Sequence, residues 1–449
     1  MKKSTYLLAL LCSIGVFAQE HYSGMSTSNR VGLLNISNNP AELPNLSKRF
    51  EVNIYSLSFN LTNNKIGFND IISGNNLEEL IFKGANPVNM SFNTEILGPG
   101  FGIKIKKWGF GLSTKANARF DLVDVDTKLG DVLSNGVVNI IGSSTISNNY
   151  NQRMNGVAWG EVGISAARTL YNTKNHKFNV GVTVKLLFPG AFSNIGLDSF
   201  QGTLSNVGNQ AYLHSTNARL NIAYSGNLAE SYTNVNDYTS SIFGNLNGLA
   251  TDIGINYQWK NGTNNYRLNA GIAIRNMGSL TFKGSQNKSS NYNLNIPQAT
   301  PFNPGLNLNQ FNNTEGIKDI ETILLNSGYL TLSNSNADYK IKLPTQIAGN
   351  IDIKIVPKLY ASIHILQKIN SSNNDDQIVS PNIISITPRL NLGFFEAFST
   401  WSDHEISGIN GGVGFRLGGF YLGSNSIVTA LINNSKQADL YTGFRWAFL

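Results

Sequence analysis

Charge is scarce in this chain. Asp, Glu, Lys and Arg make up 14% of its 449 residues, against roughly 25% in ordinary soluble domains. A surface that faces water on every side is not what such a composition encodes. Cysteine is nearly absent: the single one, Cys12, lies in an apolar stretch near the N-terminus. Without that stretch the chain has no thiol and no disulfide. Beyond it there is no run of 18 or more apolar residues, so no segment reads as a membrane-spanning helix. The five histidines have no metal-ligand spacing with one another or with carboxylates. No Gly-rich phosphate loop precedes a helix, and no basic cluster of the nucleic-acid type occurs. The formal charge of +7 is mild for this length.

What the chain does have is alternation. Phe178, Val180, Val182, Val184 and Leu186 alternate with Lys177, Asn179, Gly181, Thr183 and Lys185. Tyr266, Leu268, Ala270, Ile272 and Ile274 alternate with Arg267, Asn269, Gly271, Ala273 and Arg275. Similar runs surround Ile353 and Val413. A period of two means β-strands with one apolar face. The final strand is the clearest: Phe444, Trp446 and Phe448 share one face, Gly443, Arg445 and Ala447 the other. Such a closing strand resembles that of bacterial outer-membrane barrels, where a C-terminal aromatic pattern is read by the assembly machinery. Gly443, Trp446 and Phe448 match that pattern, and Leu449 departs from it by following the last aromatic.

At the other end, Lys2 and Lys3 precede an apolar stretch from Tyr6 to Phe17, and Val16-Phe17-Ala18 suits signal-peptidase cleavage. Leu11 before Cys12 argues against lipidation. The expected organisation is a signal peptide at 1–18, a segment at 19–49, and a β-barrel over 50–449. The fold class is an all-β transmembrane antiparallel barrel of about 14 strands, or 16 if the stretch 189–225 holds two more. Lys106-Lys107, Val356-Pro357-Lys358 and Gly418-Gly419 read as tight turns. The stretches 60–89, 121–153, 227–248 and 283–338 read as long polar loops, with a helix at 315–326 that places Ile317, Ile320, Ile323 and Leu324 on one face. A parity slip at Ile54-Tyr55 predicts a β-bulge. Tyr257, Trp259, Trp108 and Tyr266 fall at strand ends, as an interfacial girdle would.

The segment 19–49 contains Asn39-Pro40-Ala41 just before the first strand. With Lys342-Leu343-Pro344-Thr345 and the aromatic final strand, this layout resembles an uncharacterised outer-membrane family similar to the long-chain fatty-acid transporter (FadL-like) barrels. The PorV-like barrels of the type IX secretion system share it. The resemblance implies that the segment plugs the lumen as a hatch, with Asn39, Pro40 and Ala41 inside. It also implies a hydrophobic or amphipathic ligand taken up through the lumen. The alternatives are a PorV-like accessory for protein secretion or surface assembly, and a structural or adhesive barrel.

No catalytic centre, cofactor or metal site is expected. His364 shares parity with Tyr360 and Ser362 and so points into the lumen, away from the lipid side where a phospholipase dyad would act. Asp375-Asp376 offers a weak Ca²⁺ site at most. The lumen wall carries a basic excess, led by Lys177, Lys185, Arg267, Arg275 and Arg416. Such a wall is either a solvated, partly paired face or a path for an anionic amphiphile. The expected partners are outer-membrane lipids, the barrel-assembly machinery, a hydrophobic or anionic amphiphilic ligand, and on the alternative reading a secreted protein.

Overall fold

A computed structural model describes residues 21–448 except 27, 29–31, 136–142, 227–243, 262–265, 285–286, 313, 315 and 371–372. The proposed signal peptide, Cys12 and Leu449 lie outside the described residues. The alternating segments form the strands that their period predicts. They are β1 (Phe50–Asn63), β2 (Val88–Leu97), β3 (Gly100–Ile105), β4 (Trp108–Val125), β5 (Ser143–Ser147), β6 (Asn151–Asn172) and β7 (His176–Val207). Next come β8 (Gln210–Ser225), β9 (Gly248–Lys260), β10 (Tyr266–Phe282), β11 (Lys288–Ile296), β12 (Leu306–Asn307), β13 (Leu330–Asn336) and β14 (Tyr339–Lys342). The last are β15 (Gln346–Val356), β16 (Leu359–Lys368), β17 (Ile383–Asn391), β18 (Phe395–His404), β19 (Gly408–Leu417), β20 (Phe420–Ser424) and β21 (Gln437–Phe448).

Several of these run in line, and the wall is a ring of 14 strands in one antiparallel sheet. β8 and β9 both pair with β7, on its second and first halves respectively. β10 and β11 continue one another in the same way, as do β13, β14 and β15. The ring closes where β21 pairs with β1, from Phe448 opposite Phe50 to Gln437 opposite Thr62. The register of that pairing slips between Asn53 and Tyr55. This is the bulge expected from the parity change, and it keeps Ile54 and Tyr55 both on the outside.

The outward positions are apolar. Val182, Val184, Ile253, Ile255, Ile272, Ile353, Val413, Phe444 and Trp446 are all exposed. The inward positions are polar and buried, among them Asn256, Asn269, Asp352, Glu396 and Asn410. The three expected tight turns lie at the end of the ring that holds both strand termini.

At the opposite end the expected long loops are partly structure. The range 283–338 is no open loop: it holds β11, β12, β13 and a helix, α1 (Ile317–Asn326), formed where the apolar spacing predicted it. The ambiguous stretch 189–225 continues β7 and then turns into β8. β7 has 32 residues, about three times the 9–11 that a bilayer crossing needs. On this side the sheet is therefore longer than a bilayer crossing requires.

Residues 446–448 supply the partners of Phe50 to Val52 on β1. Deleting Trp446 to Leu449 should leave both edges of the ring unpaired there. The expected outcome is loss of the compact, heat-modifiable band on gel electrophoresis; a band that migrates as the full-length barrel does would contradict the closure argument.

Candidate functional site

The segment before β1, in its described residues from 21 to 46, packs against the inward face of the ring. Its short helix, α2 (Leu33–Asn38), leads into a 3-10 turn at Pro40–Asn45. Asn39 caps that turn by accepting a hydrogen bond from Ala41 N at 3.0 Å. Its Nδ2 donates to the backbone carbonyl of Ile255 on the wall at 2.9 Å. This approach is close because the wall carries glycine where the turn lands. A Cβ on Gly181 would stand 2.5 Å from Ala41 N, and one on Gly254 2.1 Å from Asn39 Oδ1. Pro40 and Ala41 are buried with Asn39 beside the inward face of β7 and β9.

Polar contacts lock the segment. Glu42 accepts from Asn45 Nδ2 at 2.7 Å, Asn256 Nδ2 at 2.8 Å and Asn269 Nδ2 at 3.0 Å. Burial raises the Glu42 carboxyl above its ordinary range, against the lowering pull of those amides and of Lys177. Lys177 donates to Pro44 O at 2.8 Å and to Asn45 Oδ1 at 2.6 Å. Lys104 donates to Leu46 O at 2.6 Å. Nearer the start, Tyr22, Met25 and Leu34 pack with Leu97, Phe398, Tyr421 and Tyr441.

The basic residues expected in the lumen do not form one path. Lys185 pairs with Asp252 at 2.8 Å. Arg416 pairs with Glu396 at 2.9 Å and donates to the carbonyls of Gly418 and Gly393. Arg275 reaches Asn38. Arg267 is a correction: it is exposed and stacks over Trp259 with its guanidinium carbon 5.7 Å from the ring centroid. The register of β10 against β9 shifts between Tyr266 and Leu268, which turns Arg267 outward. For the same reason Tyr266 does not join a girdle. It is buried inside and donates to Asp352, which also binds Arg389 and Ser362. Tyr257, Trp259 and Trp108 are exposed at the rim, as expected.

At the long-loop end, residues 373–380 fold inward against the wall. Ile378 joins Val157, Trp159, Leu187, Phe192, Leu280 and Phe282 in an apolar cluster. Asp375 accepts from Asn151 at 2.9 Å and Asn194 at 3.1 Å, while Asp376 pairs with Lys342 at 2.8 Å. Both carboxylates are thus in use, and no metal-ligand cluster occurs among the described residues. His364 is buried on the inward face, as its parity required.

A second feature was not foreseen. An apolar cavity of about 330 Å³ lies at the long-loop end, outside the lumen. Ile195 and Leu197 line it, and they alternate with Asn194 and Gly196, which face Asp375 on the inner side. Leu220 and Leu294 add to this outward face, and α1 with the 3-10 turn Leu308–Phe311 covers it. Leu122 also lines it, and β4 keeps its register against β6 from Val123 down to Trp108. The cavity floor therefore continues into the apolar outer face of the wall. The signal in the sequence was the alternation of apolar residues through β8 and β11, inside stretches read as ambiguous or as loop.

A family model described as "Family of unknown function (DUF5723)" matches residues 40–425. No curated protein matches the chain. Among solved structures the chain is similar to the Ralstonia pickettii toluene transporter TbuX, at 12% identity and a TM-score of 0.45, over 98% of this chain and 100% of that one. It is similar to the Pseudomonas putida toluene transporter TodX, at 10% identity and a TM-score of 0.43, over 96% and 98%. It is also similar to a Pseudomonas aeruginosa FadL homologue, at 10% identity and a TM-score of 0.33, over 96% and 98%.

Two outcomes are expected for the lumenal segment. Gly181→Val places side-chain atoms where the backbone of Pro40 and Ala41 now runs. It should free the segment to proteolysis and raise conductance in planar bilayers severalfold while the wall stays heat-modifiable; an undisturbed segment would sink the cradle argument. Glu42 should make docking pH-dependent. Its docked carboxyl holds a proton more tightly than the displaced one, so docking weakens as pH rises from the ordinary carboxylate range to the raised value, and levels off above it. Glu42→Gln should remove that dependence, read as segment protection from protease across pH.

Proposed function

The chain belongs to DUF5723, a family of unknown function, and from that premise we propose an outer-membrane barrel that captures a small hydrophobic or amphipathic compound. The apolar cavity carries this reading. Its lining is mainly Leu, Ile, Val, Phe and Met, with Gln152, Arg153 and Thr314, and burying apolar surface contributes about 25 cal/mol per Å². The cavity beside His21, Glu95 and Arg275 inside the ring is smaller, about 70 Å³, and lined by many polar side chains. The short turns face the periplasm and the cavity faces outward, as in barrels inserted from the periplasm. In this reading the compound collects in the cavity first. Entry to the lumen then requires the segment 21–46 to shift, so that it acts as a hatch. Gly443, Trp446 and Phe448 serve as the signal for the barrel-assembly machinery.

A second reading, a barrel that hands a protein on, has one observation in its favour. Ile71 and Ile72 on the helix Phe68–Ile72 and Leu431 and Ile432 on the helix Ile427–Asn433 are exposed at the long-loop end. Exposed apolar patches of this kind suit a partner protein or the lipid interface.

Native mass spectrometry with lipid extraction separates the two on gently purified protein. A stoichiometric amphiphile supports capture; a stoichiometric polypeptide puts the second reading first. Leu220→Lys should weaken binding of the fluorescent apolar probe N-phenyl-1-naphthylamine by about tenfold or more, since a buried unpaired ammonium costs well over the 1.4 kcal/mol of one decade. Unchanged probe affinity would remove the cavity from the argument.

A further inference from the structure

The buried arginines Arg119, Arg389, Arg416 and Arg445 each meet a carboxylate. Arg119 pairs with Asp121 at 2.9 Å, Arg389 with Asp352 at 2.7 Å, Arg416 with Glu396 at 2.9 Å and Arg445 with Glu51 at 3.0 Å. A guanidinium removed from bulk water needs such a partner. Arg275 departs from this pattern. It is 9% exposed and has five donor hydrogens to satisfy. Among the described residues its one acceptor is Asn38 Oδ1 at 3.1 Å, it has no ion-pair partner, and its Nε has no hydrogen bond.

A cavity of about 70 Å³ lies beside Arg275, between His21 and Asn38 of the lumenal segment and Lys115 and Trp159 of the wall. The carboxylates that share it are committed elsewhere. Glu95 pairs with Lys115 at 2.8 Å, and Glu161 accepts from Trp159 Nε1 at 2.8 Å and from Asn117 at 3.4 Å. A single water needs about 10–15 Å³ by the same measure, so this space takes several waters or one small ion. Among the described residues, Arg275 is the guanidinium or ammonium at its edge that has no ion-pair partner.

We propose that this cavity is a binding site for one small monovalent anion, of the halide or carboxylate kind, held by Arg275. Because Asn38 belongs to the lumenal segment and Arg275 to β10, the bound anion ties the segment to the wall. The site is separate from the apolar cavity and does not depend on what that cavity takes.

Trp159 is a built-in reporter. The other tryptophans, Trp108, Trp259, Trp401 and Trp446, are exposed and can be replaced by Phe in the full mature chain. Iodide is then titrated at constant ionic strength against a bulky organic sulfonate. The expected result is a saturable quench of Trp159 that chloride reverses. Reversal by acetate as well assigns the carboxylate class, and its absence assigns the halides alone; both support the site. Arg275→Gln should abolish the saturable phase. Asn38→Asp should abolish it too, by placing a fixed carboxylate opposite the guanidinium with no loss of folding. Purely linear quenching in the parent protein, or a saturable phase that survives Asn38→Asp, overturns the proposal.

Discussion

The rest of this structure depends on ring closure. A sheet whose outer face is apolar has no water beside it to satisfy free backbone groups, and an open edge would leave a full row of them unpaired. Pairing β21 with β1 removes that edge. Once the ring is shut, each strand has one face outside and one inside, so the period of two becomes a partition of the whole chain. Ile253 and Ile255 go out; Asn256 and Asp252 go in. The bulge at Ile54 and the register shift at Arg267 are two of the places where an extra residue is absorbed without breaking the ladder.

Closure creates the next problem, which is what fills the inside. Inward side chains are largely polar and buried, and a buried polar group without a partner costs about 1–3 kcal/mol. Part of the solution is mutual pairing across the wall, as in the cluster of Asp352, Arg389, Glu396 and Arg416. The other part is the segment 21–46, which brings its own polar atoms to the wall. Glycine at Gly181, Gly254 and Gly271 lets its backbone and Asn39 approach the strands directly. Such positions look like weaknesses in a strand, since glycine packs nothing. Here the absent side chain is the contact surface.

How much of this was legible in the sequence follows from the same partition. Period two is local, so strands, faces, tight turns and the Ile54 bulge could all be read without the fold. A docking place for Asn39-Pro40-Ala41 was implied by resemblance alone, because three residues of turn chemistry do not say where a turn docks. Arg267 was misplaced because its parity with Asn269 is intact in the sequence; the shift beside Tyr266 lies in the pairing with β9, which a single strand does not display. The apolar cavity was missed for a related reason. Ile195, Leu197, Leu220 and Leu294 look like ordinary outward residues of a barrel wall. Only the length of β7, which exceeds what a bilayer crossing requires, and the placement of α1 over them turn that face into a cavity.

This arrangement separates two chemical tasks in space. The apolar cavity sits on the outward faces of β7, β8 and β11, while the lumen behind them holds ion pairs, amide clusters and a docked peptide segment. On the proposed reading a hydrophobic compound is stabilised in the first, whereas the apolar side chains of the second, such as those around Ile378, are already packed against one another. The inward residues 373–380 lie between them, pinned by Asp375 to Asn151 and Asn194 and by Ile378 to the apolar cluster around Phe192. On that reading capture and passage are distinct events. Capture needs only the area buried in a preformed cavity. Passage through the lumen needs polar contacts made by Asn39, Glu42, Lys177 and Lys104 to be exchanged for others, so it is set by the stability of the docked segment and not by the affinity of the cavity.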